Sequence, residues 1–264
     1  MTQSGSPPAS PLLELLLRQR IAIVAALSGL VAISWFYLFV MAADMSAMAD
    51  MGMQMHAASR GAIDFVLLLA MWWVMMIGMM LPSAAPMILT FATISRRRRA
   101  RSQPYAPTAL FAAGYLLAWG GFSVLATLAQ WSLERVALLS PMDMAATSPL
   151  LGGLLFVAAG LYQLTPLKQA CLRLCRSPFD FVINHWRDGA GGALRMGFSH
   201  GLYCLGCCWI LMVLLFVGGV MNLIWVALLT AVVLVEKLFT AGRWFGLAGG
   251  VLLAAYGVIL LALG

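Results

Sequence analysis

Gly197-Phe-Ser-His200-Gly-Leu-Tyr-Cys204-Leu-Gly-Cys207-Cys208-Trp209-Ile-Leu-Met-Val-Leu-Leu-Phe-Val-Gly-Gly219 is a run of 23 residues without a single carboxylate, lysine or arginine. Such a run is long enough to cross a hydrocarbon core about 30 Å thick, which takes roughly 20 apolar residues in a helix. Comparable runs recur at about 21–42, 65–94, 108–131, 149–165, 223–239 and 245–263. Of the 264 residues, 63% are hydrophobic and only 9% are charged, against about a quarter charged in an ordinary soluble domain. The chain therefore reads as all-α, a polytopic membrane helical bundle of about seven transmembrane helices. The second run contains Pro82 and Pro86, each lacking a backbone donor, which predicts a long or kinked helix there.

Basic residues favour the cytoplasmic side of short loops. With the N-terminus inside and the C-terminus outside, 14 of the 16 Lys and Arg residues fall on the inner side, leaving Arg60 and Arg135 outside. The expected arrangement is thus a membrane crossed several times, with the N-terminus on the cytoplasmic side. The cluster Arg96 to Arg99 with Arg101 is a stop-transfer anchor facing anionic lipid rather than a nucleic-acid patch, so the bilayer is a partner and nucleic acid is not. The first apolar run follows Arg18 and Arg20 and holds Trp35, Phe36 and Tyr37. It is longer than a signal-peptide core, so it reads as a retained helix. Residues 1–12 read as a disordered Pro/Ser tail and 13–264 as one transmembrane domain.

The chemistry concentrates in the opening stretch. At about 100° per residue, with His200 at zero, Cys204 lies near +40°, Cys207 near −20° and Cys208 near +80°. Reactive polar groups on one face of a membrane helix point into the bundle or a cavity. His200 lies about 10 Å along the helix from Cys207 and about 12 Å from Cys208, so one ion cannot take all four. A second helix is expected to supply the remaining ligands. Cys171 and Cys175, at i and i+4 in the cytoplasmic Cys-containing loop 166–196, are the candidates. All five cysteines fall on or near the reducing side, which argues for metal binding or catalysis over structural disulfides. Lys168, Arg173 and Arg176 flank the pair, either favouring its thiolates or serving as simple positive-inside charges.

A second sulfur-rich region is the outer loop 41–60, where Met41, Met45, Met48, Met51, Met53 and Met55 accompany Asp44, Asp50 and His56. Thioethers select Cu(I) over hard cations; the alternative is that this segment continues helix 1 as an amphipathic stalk. In helix 2, Met71, Met75 and Met79 form one i, i+4, i+8 row, with Met76 and Met80 beside it. Core packing explains methionine equally well. Glu236 and Lys237 end the sixth run, either as an interfacial charge pair or with Glu236 neutralising a bound cation.

Together, Met71-Trp72, Met75-Met76, Met79-Met80, Pro82, Tyr162-Gln163, Pro166, Lys168, Cys171, Cys175-Arg176, His200-Gly201, Tyr203-Cys204, Gly206-Cys207-Cys208-Trp209, Met212, Met221-Asn222 and Glu236-Lys237 resemble the bacterial membrane proteins grouped as DUF2182. That family is described as predicted metal-binding integral membrane proteins, some loosely named copper chaperones. The resemblance covers about residues 60–240 and leaves out the methionine loop. It implies a metal-linked role in a bacterial inner membrane.

The expectation is a protein that binds a soft metal ion, Cu(I) or alternatively Zn(II), and passes it between outer methionines and inner Cys/His ligands, exchanging it with a periplasmic or cytoplasmic metal carrier. Its candidate ligands are His200, Cys204, Cys207, Cys208, Cys171, Cys175, Met75, Met79, Met51, Met53, Met55, His56 and Glu236. No P-loop or Asp-Lys-Thr-Gly motif is present, which argues against a pump working alone. The alternatives are a thiol oxidoreductase using the cysteine pairs and a non-catalytic assembly subunit of a metalloprotein complex.

Overall fold

The computed structural model describes residues 11–50, 62–140, 144–239 and 241–263. They form ten helices: α1 (Pro11–Asp50), α2 (Ala62–Ala100), α3 (Thr108–Arg135), α4 (Pro149–Leu164), α5 (Pro166–Arg176), α6 (Pro178–Asn184), α7 (Gly189–Val213), α8 (Leu215–Gly218), α9 (Leu223–Leu238) and α10 (Gly242–Leu263). Among the described residues β pairing is confined to one isolated bridge, Leu139 with Ala146. The chain is an all-α membrane bundle, as its composition predicts.

Every predicted apolar run is helical, but the helices differ in reach. Five are long and apolar enough to cross a membrane, within α1, α2, α3, the α7–α8 segment and α10. The α4–α5 pair, bent by 64° at its break, makes a sixth if it counts as one span. The count of seven rested on giving α4 and α9 a span each, and each has only 16 helical residues.

Two other sequence boundaries shift. Helix α1 continues through residue 50, so the first ten residues of the expected 41–60 loop are helix; the alanines and methionines there are good helix formers, and no Gly or Pro interrupts them. Met51, Met53, Met55 and His56 lie outside the described residues. The expected 166–196 loop is likewise built of helix, comprising α5, α6 and the start of α7.

The core is sulfur-rich and aromatic. Met71, Met75, Met76, Met79 and Met80 of α2 are fully buried beside Trp72, Phe91, Phe111, Tyr115 and Trp119. Helix α2 carries Pro82 and Pro86 in its interior. Trp72 Nε1 donates to Gln130 Oε1 at 2.7 Å, fastening α2 to α3. The most extensively packed helix pairs are α3 with α7 and α4 with α10, and small residues make both possible. A Cβ on Gly201 would stand 2.5 Å from Cβ of Ala118, and one on Gly160 2.5 Å from the backbone of α10. Small residues at such crossings let membrane helices approach backbone to backbone. Close seating of α7 on α3 is what brings its cysteine face into the interior.

Candidate metal centre

Helix α7 delivers Cys204, Cys207 and Cys208, each no more than 2% exposed. The shared face read from the sequence is turned inward, as a reactive stripe in a bundle should be. Both Cys207 and Cys208 turn their S–H groups back to the carbonyl of Cys204, at 3.0 and 2.9 Å. Beyond those bonds each sulfur meets a second sulfur from another helix. Cys207 Sγ lies 3.9 Å from Cys175 Sγ on α5, and Cys208 Sγ lies 3.9 Å from Met80 Sδ on α2.

The local sequence explains how α5 arrives there. Thr165 caps the helix by accepting from Lys168 N, and Pro166 occupies its first turn, an arrangement that starts a new helix and ends the old one. The bend redirects the chain so that α5 packs against α7. Gly206 leaves room for it: a Cβ there would stand 2.8 Å from Cys171 Sγ. The Tyr162 hydroxyl donates to the Gly206 carbonyl, holding the end of α4 to the same spot. Cys171 therefore sits beside the backbone of α7, while Cys175, one turn on, reaches the thiol of Cys207.

Helix α9 contributes the charge. Lys237 Nζ donates to Cys204 Sγ at 2.8 Å and to Ser83 Oγ at 3.2 Å, and lies 3.9 Å from Cys208 Sγ. Tyr115 of α3 is 3.0 Å from Cys204 Sγ, and its hydroxyl also reaches the Met80 carbonyl at 3.2 Å. Cys204 is thus the hub, held by a hydroxyl and an ammonium at the meeting of α2, α3, α7 and α9.

Glu236 takes a different part from its neighbour. Its Oε1 accepts from Gln163 at 2.9 Å and its Oε2 from Lys168 Nζ at 2.7 Å. The pair is buried, with Lys168 fully shielded. Glu236 and Lys237 do not pair with each other at an interface; successive helical residues point about 100° apart, and each finds its own buried partner. Both carboxylate oxygens of Glu236 are engaged, Oε2 locking α5 to α9 through Lys168 and Oε1 tying α4 to α9 through Gln163.

His200 is buried among rings. It stacks on Phe111 and Tyr115, with centroids 6.2 and 5.7 Å away, and lies 5.3 Å from Phe181. Its Nδ1 has no hydrogen-bond partner. Met75 and Met79 are fully buried in the core, and the thioether found at a cysteine is Met80's.

Lys237, Tyr115, Ser83 and Met80 are the members of the site that the sequence reading left out. An ionisable residue inside a membrane segment is a functional candidate by default, so Lys237 carried a usable signal. Met80 was visible as one of several stacked methionines. Tyr115 and Ser83 carried no signal, since hydroxyl residues are ordinary in such helices.

All five cysteines are free. The 3.9 Å between paired sulfurs is well beyond the roughly 2.05 Å of a disulfide. With metal–sulfur bonds of about 2.3 Å, that spacing subtends roughly 115° at an ion, an ordinary angle for two ligands on one metal. Among the described residues, no three His, Cys, Asp or Glu side chains are arranged to hold a metal ion together. The sulfurs are gathered in twos, a donor set chemically suited to soft ions of low coordination number.

A membrane helical bundle with a buried, cation-flanked sulfur cluster is the class of protein that the fold and site define. The chain matches the model of the family described as copper chaperone (PpoB2) over residues 69–260, and it belongs to that family. The match runs from α2 into α10, so it contains every residue of the cluster and leaves out α1. The family description fits copper handling. No curated protein and no solved structure matches the chain.

Proposed function

We propose that this protein binds Cu(I) as cargo in the buried cluster formed by Cys204, Cys207 and Cys208 of α7, Cys175 of α5 and Met80 of α2, and passes it across a bacterial inner membrane or hands it to a carrier. The observation that carries the reading is the pair of inter-helix sulfur contacts, Cys207 with Cys175 and Cys208 with Met80, in a shielded interior beside Cys204 and the Lys237 ammonium. Thiolate and thioether are the ligands that select Cu(I). A cation within hydrogen-bonding range of sulfur favours the thiolate, the form that binds metal.

The buried row Met71, Met75, Met79 in α2 leads up to Met80, so short thioether-to-thiol exchanges would move the ion without stripping all its ligands at once. On this reading the methionines and His56 between residues 41 and 56 receive or release the ion at the outer surface, and Cys171 and His200 flank the cluster as relay donors outside the ion's resting shell. Glu236 acts indirectly, by anchoring the helix that carries Cys175. Zn(II) is the competing cargo, because thiolates and imidazole suit it too.

The test is anaerobic purification of the full chain in detergent, copper loading under reducing conditions, and metal analysis by mass spectrometry. Stoichiometric copper in the wild type, lost in the Cys204→Ser/Cys207→Ser/Cys208→Ser variant, is the expected result. The 3.9 Å approach of Cys175 and Cys207 also favours a second reading, a thiol redox couple. It predicts no retained metal and a reversible two-electron titration that Cys175→Ser abolishes.

A further inference from the structure

The cluster contains one group that no metal would welcome. Lys237 is 8% exposed, and its ammonium contacts Cys204, Cys208 and Ser83. The acid beside it in sequence is turned away: Glu236 is neutralised by Lys168 at 2.7 Å and hydrogen-bonded by Gln163. Lys168 is likewise committed to Glu236. From the other helices the groups that face the cluster are the Tyr115 hydroxyl and the His200 ring, neither of them an anion. Among the described contacts the ammonium therefore answers to sulfur and hydroxyl, with no carboxylate. Burying a cation so costs several kcal/mol unless something offsets it, and here the neighbours within hydrogen-bonding range are the Cys204 sulfur and the Ser83 hydroxyl.

An ion bound to Cys204 or Cys208 would sit near this charge. With a metal–sulfur bond of about 2.3 Å and sulfur-to-Nζ distances of 2.8 and 3.9 Å, the ion lies within about 6 Å of Nζ. At that range the ammonium repels a divalent ion twice as strongly as a monovalent one. With an effective dielectric of about 20, the extra unit charge weighs roughly a hundredfold in an equilibrium constant. Ligand count acts in the same direction. A divalent zinc-like ion prefers a closed shell of four ligands, and among the described residues no three His, Cys, Asp or Glu side chains are set to hold one ion.

We propose that Lys237 is a specificity-determining residue that sets the charge of the cargo at +1, admitting monovalent soft cations and rejecting divalent ones. The inference rests on the reading of the sulfur cluster as a metal site and adds the rule by which that site selects. Lys237 itself binds no metal; it acts through the potential it places on the thiolates.

The experiment compares Ag(I), a redox-inert monovalent soft ion, with Cd(II), its divalent counterpart, in competition dialysis against a thiol buffer. It uses the reduced full-length protein in detergent as wild type, Lys237→Met and Lys237→Arg. The wild type is expected to bind Ag(I) and to discriminate against Cd(II). Lys237→Met should lower the Ag(I)-to-Cd(II) affinity ratio by about tenfold or more, and Lys237→Arg, which keeps the charge, should hold it within about threefold of wild type. A structural lysine would change both affinities together and leave the ratio alone. An unchanged ratio in Lys237→Met overturns the proposal while leaving the metal site intact. Should Lys237→Met not be recovered as monodisperse protein, Lys237→Gln replaces it in the same comparison: a lowered Ag(I)-to-Cd(II) ratio supports the proposal, and an unchanged ratio, or equal uptake of the two ions by the wild type, overturns it. A wild type that binds neither ion overturns both the proposal and the metal-site reading beneath it.

Discussion

Lys168→Met is the most informative single perturbation of the framework around the cluster. The Lys168 side chain is completely shielded and that of Glu236 is 3% exposed, and their charged atoms are 2.7 Å apart. Removing one partner of a buried pair leaves an uncompensated charge, at a cost of about 3–5 kcal/mol, whereas replacing both by apolar residues of similar size is often neutral or stabilising. In Lys168→Met the Glu236 carboxylate keeps only the amide of Gln163, too weak a donor to replace an ammonium. Lys168 lies seven residues before Cys175, about 10 Å along α5, so a loosened pair also loosens the helix that brings Cys175 to Cys207. The assay is unfolding in a fixed detergent, followed by the fraction remaining monodisperse, for Lys168→Met, Glu236→Met and the double variant. Each single change should lose about 3–5 kcal/mol, and the double variant should recover at least about 2 kcal/mol of their sum. Single losses below about 1 kcal/mol, or strictly additive losses, would show that the pair does not lock α5 to α9.

Three further outcomes follow from the same geometry. Cys175→Ala should lower copper affinity by at least about tenfold, with a much smaller effect from Cys171→Ala, because Cys175 meets the Cys207 thiol whereas Cys171 sits against Gly206; copper competition against a soluble chelator reads the difference. Met75→Leu, Met79→Leu and Met80→Leu should each cost less than about 1.5 kcal/mol of stability, being volume-conserving, yet only Met80→Leu should weaken copper binding, since its sulfur stands at Cys208. Gly201→Leu should push α7 off α3, because even its Cβ would come within 2.5 Å of Ala118; a loss of about 1–3 kcal/mol or more in the unfolding midpoint, accompanied by loss of bound copper, is expected, and wild-type behaviour would contradict the packing described.

Much of this architecture was legible without coordinates, for specific reasons. Lipid requires long apolar helices with their backbone groups satisfied internally, so the helical class followed from the runs, and the shared face of Cys204, Cys207 and Cys208 followed from helical geometry. Other features were settled by long-range packing that periodicity does not encode. The partner of Glu236 is Lys168, 68 residues earlier in the chain, and only the folded bundle shows that its neighbour Lys237 turns to sulfur instead. Met80 and Met79 are adjacent in sequence and equally buried, but the helix rotation that sends Met80 to Cys208 depends on how α2 and α7 are both seated on α3. The bend after Leu164 was foreshadowed by Pro166; where it aimed Cys175 was not. Tyr115 looks in sequence like any aromatic of a membrane helix, and its contact with Cys204 depends on the close approach of α3 and α7.

X-ray absorption at the copper edge of the full chain, loaded anaerobically with one equivalent of Cu(I), tests the sulfur cluster most directly. A first shell of sulfur, altered when Cys204, Cys207 and Cys208 are replaced by serine and unaltered by Cys171→Ala, is the predicted spectrum. A shell of nitrogen and oxygen alone, or one indifferent to the loss of those three thiols, would contradict it.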